Sequence, residues 1–532
     1  LLVLLVSSFS YAQEDSESVD TENIEEVVTS ALRKDTALQD TGLAVTVISA
    51  SDIESKNLKE FYDFQFNVPG VLFNKTNFSG AGVQIRGISN YAVGGSFSAV
   101  ATPRQDDINM GTLQMAQNEL FDLASFEVLR GPQGTLFGQN STGGAINVIS
   151  KKPSTSESYS KADVTVGTFN LNKIRATSNL AVSDNLATKL SVSITERDGF
   201  SKNVVTGQDL DDANSKGFRS DWMFDLNDTS SLRVFGQYFK VDRNGAAIRG
   251  IDDQTQGMRN LSQDTVSQHE LSSMVIAAIY ESDLGFANLK AIASVQEDDI
   301  LVVRDNDRHN YLDPVLAIEG LPAGSTYQRA EFTPETSLVD TTTLEINLIS
   351  NEPIEDRLDW TVGLFYMEHE IENTIRGYRD DDLDGRIKYL CDESFADPSY
   401  CYEHDYGIPG RFDIFGPDAE VDFFTDASPS RESFSVYGQT TLSISETFRI
   451  VSGLRYTEDT FTTDVTNFLN VETFQEEGTS DEITSRVVGE VDLSDDTMVY
   501  VAVSRGFKPG GSNLTFGFDD DNAPPMVFPT FD

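Results

Sequence analysis

The sequence predicts an antiparallel membrane β-barrel that follows a small N-terminal α/β domain. Three observations lead to this prediction: an export signal at the N-terminus, no later run of the roughly 20 apolar residues that a membrane-spanning helix needs, and a long C-terminal region of alternating polarity. Helices and closed barrels are the two structures that satisfy every backbone polar group in lipid. An exported membrane protein without a helical span therefore crosses the membrane as a barrel.

The export signal occupies residues 1–12. The stretch LLVLLVSSFSYA is an apolar run that ends in a small-x-small cleavage pattern at residues 10–12. Because it begins with Leu and lacks a basic region, we interpret it as a secretion signal whose first residues are missing. Residues 13–35 follow as an acidic, flexible segment.

The charge balance is strongly acidic, with 86 acidic and 39 basic residues and a formal net charge of −47. Binding to a nucleic-acid backbone needs clustered Lys and Arg, so the composition excludes nucleic acid as a partner. Contents of 39% hydrophobic and 10% aromatic residues exclude a wholly disordered chain.

Within the flexible segment, IEEVVTSALRK (residues 24–34) has high β-propensity at Val27, Val28 and Thr29. Two interpretations are open. The segment is either the first strand of the next domain or a strand that adds itself to the sheet of a partner protein.

Residues 36–152 alternate between strand and helix signals, which predicts an α/β domain. LAVTVISASDI (residues 43–53) reads as a strand leading into a helix that is capped by Ser51 or Asp52. GVQIRGIS (residues 82–89) alternates along its length and reads as one strand.

From about residue 158, roughly thirteen segments alternate in polarity. Phe434 and Val436 are separated by polar residues, and TTLEINLI (residues 342–349) places Glu345 and Asn347 on its polar face. A barrel with a wet interior has this pattern, but a soluble β-sandwich alternates as well.

The connections between these segments distinguish the two folds. Short connections are predicted at 183–185, 227–230, 282–285, 350–356, 443–447 and 494–496, and long ones without secondary structure at 198–215, 242–270, 300–339 and 371–431. Short turns on one side and long loops on the other are typical of an outer-membrane barrel. The regular alternation of loop length therefore favours the barrel.

Several motifs resemble those of one family. FEVLRGPQGTLFGQNSTGGAINVISKKP (residues 126–153) closely resembles the end of the plug domain of TonB-dependent outer-membrane receptors. GVQIRGIS resembles the earlier Arg-Gly strand of the plug, and IEEVVTSALRK resembles the TonB box. VSRGFKPGGSN (residues 503–513) resembles a barrel-strand motif of the siderophore-receptor branch.

The resemblance implies a plug domain, residues 36–152, inside the lumen of a transmembrane barrel, residues 153–532, in the bacterial outer membrane. Barrels of this family have 22 strands. Because about thirteen or fourteen are recognised here, we expect a fragment that lacks the C-terminal part of the barrel.

The resemblance also implies roles for two groups of residues. The TonB box, which would pair edge-on with a strand of the inner-membrane protein TonB, comprises Ile24, Glu25, Glu26, Val27, Val28, Thr29, Ser30 and Ala31. The plug motif comprises Arg86, Gly87, Glu127, Arg130, Gly131, Pro132, Gly134, Gly138, Gly143 and Gly144.

The two arginines of the plug motif, Arg86 and Arg130, would pair with carboxylates of the barrel wall, for which Glu345 and Glu490 are options. The alternative is that both arginines only anchor turns. The glycines of the motif would permit close turns, and Gly143-Gly144 would let the next strand pass near the wall.

Residues 89–111 are expected to form an outward loop of the plug. In the family, equivalent loops contact the ferric ligand, so the candidate ligand-binding residues are Tyr91, Phe97, Arg104 and Gln105. The alternative is that these side chains pack the loop.

A possible structural calcium site lies at Asp380, Asp382 and Asp384, which have the D-x-D-x-D-G spacing of a calcium loop. The usual Glu at the twelfth position is replaced by Cys391, and an acidic solvated loop is the alternative. Cys391 and Cys401 form either one local disulfide or two idle thiols.

Enzyme signatures are missing from the sequence, since its 4 histidines are scattered and the glycine-rich stretch lacks the Gly-Lys-Ser/Thr ending of a P-loop. We therefore expect a transporter that needs no cofactor. The leading hypothesis is TonB-dependent import of a ferric siderophore, with TonB, the iron chelate and outer-membrane lipid as partners. Import of oligosaccharide, cobalamin or another nutrient is the alternative, and a passive porin or surface adhesin is the alternative from a different class.

Overall fold

A computed structural model gives the architecture of the chain. It describes residues 28–29, 33–34, 36–76, 80–89, 101, 103–112, 120–250, 253–263, 265–305, 308, 312–314, 326–328, 330–380, 421–467, 470–494 and 497–510. The described residues form a small N-terminal α/β domain and a 13-stranded antiparallel sheet. None of the helices in these ranges is long and apolar enough to span a membrane.

Short strands and two α-helices build the N-terminal domain. They are β1 (Val28–Thr29), β2 (Thr36–Ala37), β3 (Val45–Ser49), α1 (Ala50–Ser55), α2 (Phe61–Phe64), β4 (Val71–Thr76), β5 (Gly80–Ile85), β6 (Ile88–Ser89), β7 (Pro103–Gln105), β8 (Ile108–Asn109), β9 (Leu123–Arg130) and β10 (Gly144–Ser150). The central sheet has the order β3-β9-β10-β7-β8, and β4, β5 and β6 form a second sheet. The chain's first strand in the central sheet therefore lies at one edge, and the β7–β8 hairpin lies at the other.

Local sequence explains where the first helix begins. Ser49 has an extended backbone, and its hydroxyl accepts a hydrogen bond from the amide of Asp52 at 3.2 Å. Ser49 is thus the N-cap, and the prediction of Ser51 or Asp52 was wrong because β3 runs into α1 without an intervening loop.

The stretch GVQIRGIS is a hairpin rather than the single strand that its alternation predicts. Arg86 and Gly87 have φ values of 52° and 82°, so the backbone reverses between β5 and β6. Two successive residues with positive φ are the geometry of a tight hairpin turn. The alternation nevertheless holds within β5, since Val83 and Ile85 are both buried.

The core of the N-terminal domain is closed by the barrel wall. Phe64 stacks on Phe126 with 3.8 Å between ring centroids, and Phe61 meets Phe126 edge-on. The same apolar cluster includes wall residues, namely Phe235, Val275, Ala277, Ile279 and Ile292. Part of the apolar surface of this domain is therefore buried against the wall rather than within the domain itself.

Gly144 shows how closely β9 and β10 approach each other. Its φ is +152°, and a Cβ at this position would lie 2.1 Å from the carbonyl oxygen of Leu129. The close approach is thus to β9 within the domain, not to the wall as the sequence suggested.

We expect Gly144→Ala to lower the melting temperature of the purified protein more than Gly87→Ala does. Both glycines have positive φ, but a Cβ on Gly87 would have no neighbouring atom within 4 Å, so that substitution adds backbone strain without a steric clash. Thermal melts of the two variants provide the measurement, and equal losses in the two would contradict this reasoning.

The second part of the chain is the 13-stranded sheet and the strands in its loops. The elements are β11 (Tyr159–Val166), β12 (Asn172–Ser183), β13 (Leu186–Arg197), β14 (Ser201–Asn203), β15 (Asp209–Leu210), β16 (Ala213–Asn227), β17 (Ser230–Arg243), β18 (Asn260–Leu261), β19 (Gln268–Asp283), β20 (Ala287–Asp305), β21 (Leu312–Pro314), β22 (Thr326–Gln328), β23 (Ala330–Ser350), β24 (Leu358–Asp380), β25 (Val421–Ser443), β26 (Phe448–Asn467), β27 (Asn470–Ser494) and β28 (Thr497–Ser504). The large sheet joins neighbours in chain order, omitting β14, β15, β18, β21 and β22. This antiparallel meander confirms the predicted fold class.

Side chains alternate along the strands as the sequence predicts. On β25, Phe434 and Val436 are exposed on the outer face, whereas Ser435 and Tyr437 are buried on the inner face. Glu345 of β23 is likewise buried and inward. The outer face is apolar and the inner face polar, as in a barrel that faces lipid outside and a plug or water inside.

The connections confirm the short turns and correct the long loops. Strand β20 extends to Asp305, and strand β23 begins at Ala330. The connection between them is therefore shorter than the predicted loop 300–339. The loops at 198–212 and 244–267 also contain secondary structure, because β14, β15 and β18 form a three-stranded sheet. These strands contain polar residues and continue beyond the apolar pattern, so the sequence pattern did not predict them.

Candidate functional site

A two-residue turn of the N-terminal domain makes buried polar contacts with the barrel wall. The turn joins β7 to β8 and consists of Asp106 and Asp107, whose φ values are 52° and 68°. Aspartate tolerates this left-handed conformation better than most residues. The turn directs two adjacent carboxylates at different parts of the wall.

Asp106 belongs to a buried cluster of four charges, the Asp106 cluster, which comprises Asp106, Arg219, Asp221 and Arg233. Arg219 Nη2 lies 2.7 Å from Asp106 Oδ2, and Arg233 Nη2 lies 2.6 Å from Asp221 Oδ2. All four side chains are at most 4% exposed. Two cations and two anions make the cluster neutral, which is the condition for burying charges at tolerable cost.

Further contacts hold Asp106 in its ionised form. The amide of Ser150 donates to Asp106 Oδ1 at 2.9 Å, and Arg219 stacks over the ring of Phe235 at 3.9 Å. Burial raises the pKa of Asp106, but Arg233 and Arg219 outweigh it and lower the pKa to about 2. The carboxylate is therefore charged at any physiological pH.

Asp107 belongs to a second cluster, the Asp107 cluster, which comprises Arg33, Arg104, Asp107, Lys290 and Glu345. Asp107 binds Arg33 Nη1 and Lys290 Nζ, each at 2.6 Å. Glu345 binds Arg33 Nη2 at 2.8 Å and Arg104 Nη1 at 3.6 Å. The hydroxyl of Tyr437 donates to Glu345 at 2.8 Å. This cluster connects the turn, the wall and the N-terminal segment of the chain.

Arg33 is held by both carboxylates of this cluster. Burial lowers the pKa of Arg33, but Glu345 and Asp107 outweigh it and raise the pKa above its usual value. Burial and the neighbouring Arg33 instead lower the pKa of Arg104. The cluster contains three cations and two carboxylates, so Arg33 can leave without stranding an unpaired carboxylate, because Lys290 and Arg104 remain.

Gly42 forms a third contact with the wall. Its amide donates to Glu490 Oε1 at 3.0 Å, and its carbonyl accepts from Arg486 Nη2 at 2.8 Å. A Cβ on Gly42 would lie 2.3 Å from the same Glu490 oxygen. The close approach of backbone to wall at this point requires glycine.

Comparison with known families decides what these two parts are. The family model described as TonB-dependent Receptor Plug Domain matches residues 37–145, and the model described as TonB dependent receptor-like, beta-barrel, matches residues 152–531. The chain belongs to the TonB-dependent receptor family. The N-terminal domain is its plug, and the 13-stranded sheet is part of its outer-membrane barrel.

Several similar proteins are outer-membrane receptors whose names refer to iron or siderophores. The iron-regulated outer membrane virulence protein of Vibrio cholerae is 30% identical over 159 residues, which span 28% of this chain and 23% of that protein. The ferric yersiniabactin uptake receptor FyuA of Yersinia pestis has a TM-score of 0.70 at 17% identity, over 90% of this chain and 66% of that one. The siderophore receptor PiuA of Acinetobacter baumannii has a TM-score of 0.68 at 19% identity. The alignment covers 92% of this chain and 68% of that one. The two structural likenesses show the fold, and the match to the curated relative spans about a quarter of its length.

The plug motif is placed as a turn-rich segment, but its arginines are not the ones that hold the plug. In the described residues, neither Arg86 nor Arg130 lies within 4 Å of a carboxylate. Glu345 pairs with Arg33 and Arg104, and Glu490 with Arg449. The barrel acids considered from the sequence do contact the plug, whereas the expected pairing with Arg86 and Arg130 is wrong. Arg86 lies in the turn between β5 and β6, and Arg130 ends β9.

Other members of the motif lie where the plug is tightly packed. Glu127 is buried in β9, and Gly131, Gly138 and Gly144 all have positive φ. A Cβ on Gly138 would lie 2.7 Å from Arg455 of the wall. Gly87, Pro132, Gly134 and Gly143 are also described, and they lie in turns or at strand ends.

The predicted ligand-binding residues do not share one loop. Arg104 and Gln105 lie in β7 and are buried, so residues 103–109 form a hairpin against the wall rather than part of an outward loop. A ligand role for these two stays a prediction. Tyr91 and Phe97 lie outside the described residues, as do Asp382, Asp384, Cys391 and Cys401. Asp380 ends β24, and nothing is described of its side chain. Elsewhere in the described chain, no three His, Cys, Asp or Glu residues are grouped so that they could hold a metal ion.

The predicted TonB box is described in part. Val28 and Thr29 form β1, which pairs with β2 through two residues only, Val28 with Ala37 and Thr29 with Thr36. The box residues Ile24, Glu25, Glu26, Val27, Ser30 and Ala31 lie outside the described residues. Arg33 lies two residues after the last residue of the box, so the segment that TonB would grip is close in sequence to the Asp107 cluster.

Sequence reasoning missed Arg33 and the Asp106-Asp107 turn. One signal was available for the wall side: Arg219, Asp221 and Arg233 occupy inward positions of β16 and β17, where a charged row suggests a buried partner. No comparable signal marked Arg33, which lies in a segment of disordered composition.

Arg33→Met is expected to detach the segment that carries the TonB box while leaving the barrel folded. The variant keeps the side-chain stem and removes two charged hydrogen bonds, each worth about 1.5–3 kcal/mol. Amide hydrogen exchange of residues 28–37 should accelerate. Lys34→Met is the matched control, because Lys34 pairs with Asp359 at the surface and such pairs contribute little. Equal exchange in the two variants would show that Arg33 does not hold the segment.

Proposed function

We propose that this receptor imports a ferric siderophore across the outer membrane, driven by TonB. The observation that carries the proposal is the position of Arg33. Arg33 lies two residues after the TonB box, and it pairs with Asp107 of a plug hairpin at 2.6 Å and with Glu345 of the barrel wall at 2.8 Å. A pull on the box would reach this contact before any strand of the central plug sheet.

The plug favours energised transport over a passive pore. Its apolar core is completed by the wall, and its polar turn is held by two buried charge clusters. A pore filled in this way conducts solute only after contacts break, which needs an input of free energy. Iron as the cargo is supported by the similar proteins, which include a ferric yersiniabactin uptake receptor and an iron-regulated outer-membrane protein.

Uptake of radiolabelled iron tests the proposal. Cells that express the receptor in a strain without other iron receptors are offered iron bound to catecholate, hydroxamate or citrate ligands. Uptake of at least one complex that requires both the receptor and TonB is the expected result. Uptake of cobalamin or an oligosaccharide, with none of the iron complexes, would replace the siderophore proposal with one of its alternatives. Uptake that continues without TonB would contradict energised transport.

We also propose that Asp380, Asp382 and Asp384 bind calcium in an outer loop. Alternate carboxylates ahead of a glycine suit a hard cation. Chelation of calcium is expected to make residues 380–391 more sensitive to protease, and addition of calcium should restore resistance. Asp380→Asn combined with Asp382→Asn should abolish the difference, and protease sensitivity that ignores chelation in the native receptor would contradict the site.

A further inference from the structure

Arg455 is a buried cation of the barrel wall whose present contacts do not explain its charge. It lies on the inner face of β26 and is 2% exposed. Among the described residues, no carboxylate lies within 4 Å of its guanidinium, and its Nε donates to the hydroxyl of Thr457 at 3.3 Å. A guanidinium that is buried without a carboxylate is costly, so this position calls for a role that the resting contacts do not show.

Two aromatic rings place Arg455 near Glu345. The guanidinium carbon of Arg455 lies 4.9 Å from the ring centroid of Tyr437 on β25 and 5.3 Å from that of Phe365 on β24. The hydroxyl of Tyr437 donates to Glu345 at 2.8 Å, and Phe365 is the residue opposite Glu345 in the pairing of β23 with β24. The side chain of Arg455 therefore already reaches across two strands, and Tyr437 contacts both charged groups.

The plug motif contacts both Arg455 and Arg33. A Cβ on Gly138 would lie 2.7 Å from Arg455 Nη2, so the plug backbone packs directly against this guanidinium. The preceding residue, Phe137, has its ring centroid 5.3 Å from the guanidinium carbon of Arg33. The two arginines thus contact consecutive residues of the plug, and in the resting receptor Arg33 holds Glu345 while Arg455 does not.

Withdrawal of Arg33 would remove the closest cation of Glu345. Arg33 Nη2 lies 2.8 Å from this carboxylate, whereas Arg104 Nη1 lies 3.6 Å away, which is too long for a good hydrogen bond. The Nε of Arg104 already donates to Asn109 at 2.8 Å. Loss of the closer partner from a buried ion pair is strongly destabilising, so a second cation near Glu345 would make the withdrawal easier.

We propose that Arg455 is a spare cation for Glu345. When a pull on the N-terminal segment withdraws Arg33, the guanidinium of Arg455 moves past Tyr437 and pairs with Glu345, which lowers the free-energy cost of the withdrawal. Arg455 is a positioning residue, because it acts through Glu345. The pull itself rests on the proposed TonB-driven import, whereas the exchange of one arginine for another at Glu345 can be measured in the purified receptor.

Melting temperatures of the purified receptor test the exchange. Arg455→Met is made in the native background and in the Arg33→Met background. In the native background the substitution removes no ion pair, so a small loss of melting temperature is expected. In the Arg33→Met background it removes the cation that now holds Glu345, and the loss should be at least about twice as large, since residues that share a partner are not additive. Arg455→Lys in the same background keeps the charge and should retain most of the stability.

Glu345→Gln distinguishes the exchange from a general loss of packing. In its presence, Arg455→Met should lower the melting temperature equally with and without Arg33. Equal losses in the native and Arg33→Met backgrounds overturn the inference, and so does a larger loss that persists with Glu345→Gln. If Arg33→Met with Arg455→Met does not fold, folding of Arg33→Met with Arg455→Lys supports the exchange, and failure of both to fold overturns it.

Uptake of radiolabelled iron complexes gives a second readout. Arg455→Met is expected to lower the maximal rate of uptake and to leave the half-saturating concentration unchanged, because a costlier withdrawal of Arg33 slows release and not capture. Arg455→Lys should import faster than Arg455→Met. A maximal rate that Arg455→Met leaves unchanged overturns the role of Arg455 in release. Absence of iron uptake by the native receptor contradicts the proposed function instead, and the melting temperatures then decide the exchange by themselves.

Discussion

A receptor that lacks residues 24–31 is expected to bind its ferric ligand at the cell surface with unchanged affinity and to import none of it. The segment would be gripped through main-chain hydrogen bonds, as a strand added to a sheet of TonB. In the described part of the segment, Val28 pairs with Ala37 and Thr29 with Thr36, and an incoming strand would replace this pairing. Loss of the segment removes the site of pulling without touching the plug core.

The measurement is surface binding and uptake of radiolabelled ferric siderophore in the same cells. Deletion of residues 15–22 is the matched control, because it removes the same length of acidic leader and keeps the box. The control should import at a substantial fraction of the native rate. Import by the receptor without residues 24–31 would refute the energised mechanism.

Asp106→Asn is expected to release the β7–β8 hairpin from the wall. The substitution keeps the shape of the side chain and leaves Arg219 and Arg233 with one carboxylate, Asp221. Removal of one partner from a buried pair costs about 3–5 kcal/mol. Asp209→Asn is the control, since Asp209 pairs with the exposed Lys202, and such a pair contributes no more than about 1 kcal/mol.

Two measurements check this prediction. Amide exchange of residues 103–109 should accelerate in Asp106→Asn and not in Asp209→Asn. Cells that express Asp106→Asn should become sensitive to an antibiotic too large for ordinary porins, because a loosened plug leaves the lumen open. Unchanged exchange of the hairpin would show that the cluster does not anchor the plug.

The same cluster predicts how the hairpin responds to acid. The pKa of Asp106 is lowered to about 2 by the arginines, against about 3.9 for an aspartate in an unfolded chain. A lowered pKa contributes stability above the unfolded value, and this contribution is lost as the pH falls from about 4 towards 2. In the native receptor, the protection of the hairpin amides against exchange should decline in this pH window. In Asp106→Asn, the part of the decline that comes from Asp106 should be missing.

The sequence was sufficient for the barrel because alternation along a strand depends only on neighbouring residues. Phe434 and Val436 face outward and Glu345 faces inward as the pattern predicts. Helix boundaries and turns were harder. Ser49 rather than Ser51 caps α1, and the turn at Arg86-Gly87 interrupts a pattern that reads as one strand.

The site was predicted only in part because its contacts join distant residues. Arg33 reaches Asp107 across 74 positions, and Arg219 reaches Asp106 across 113. No local pattern encodes such a pairing, and Asp106-Asp107 resembles any acidic turn. Glu345 was recognisable because a carboxylate at an inward strand position needs a partner. The identity of that partner required the fold.

The strand order of the plug bears on how the receptor would recover after a cycle of the proposed transport. β3 lies at the edge of the central sheet and pairs with β9 alone, while β9, β10, β7 and β8 stay joined without it. If pulling removes β3, the edge of β9 remains as a template that presents unpaired amides and carbonyls. Recovery then requires β3 to pair again with β9 in an existing sheet, and no new folding nucleus has to form. Under the proposed mechanism, the receptor would reset through the same local pairing that a pull would undo.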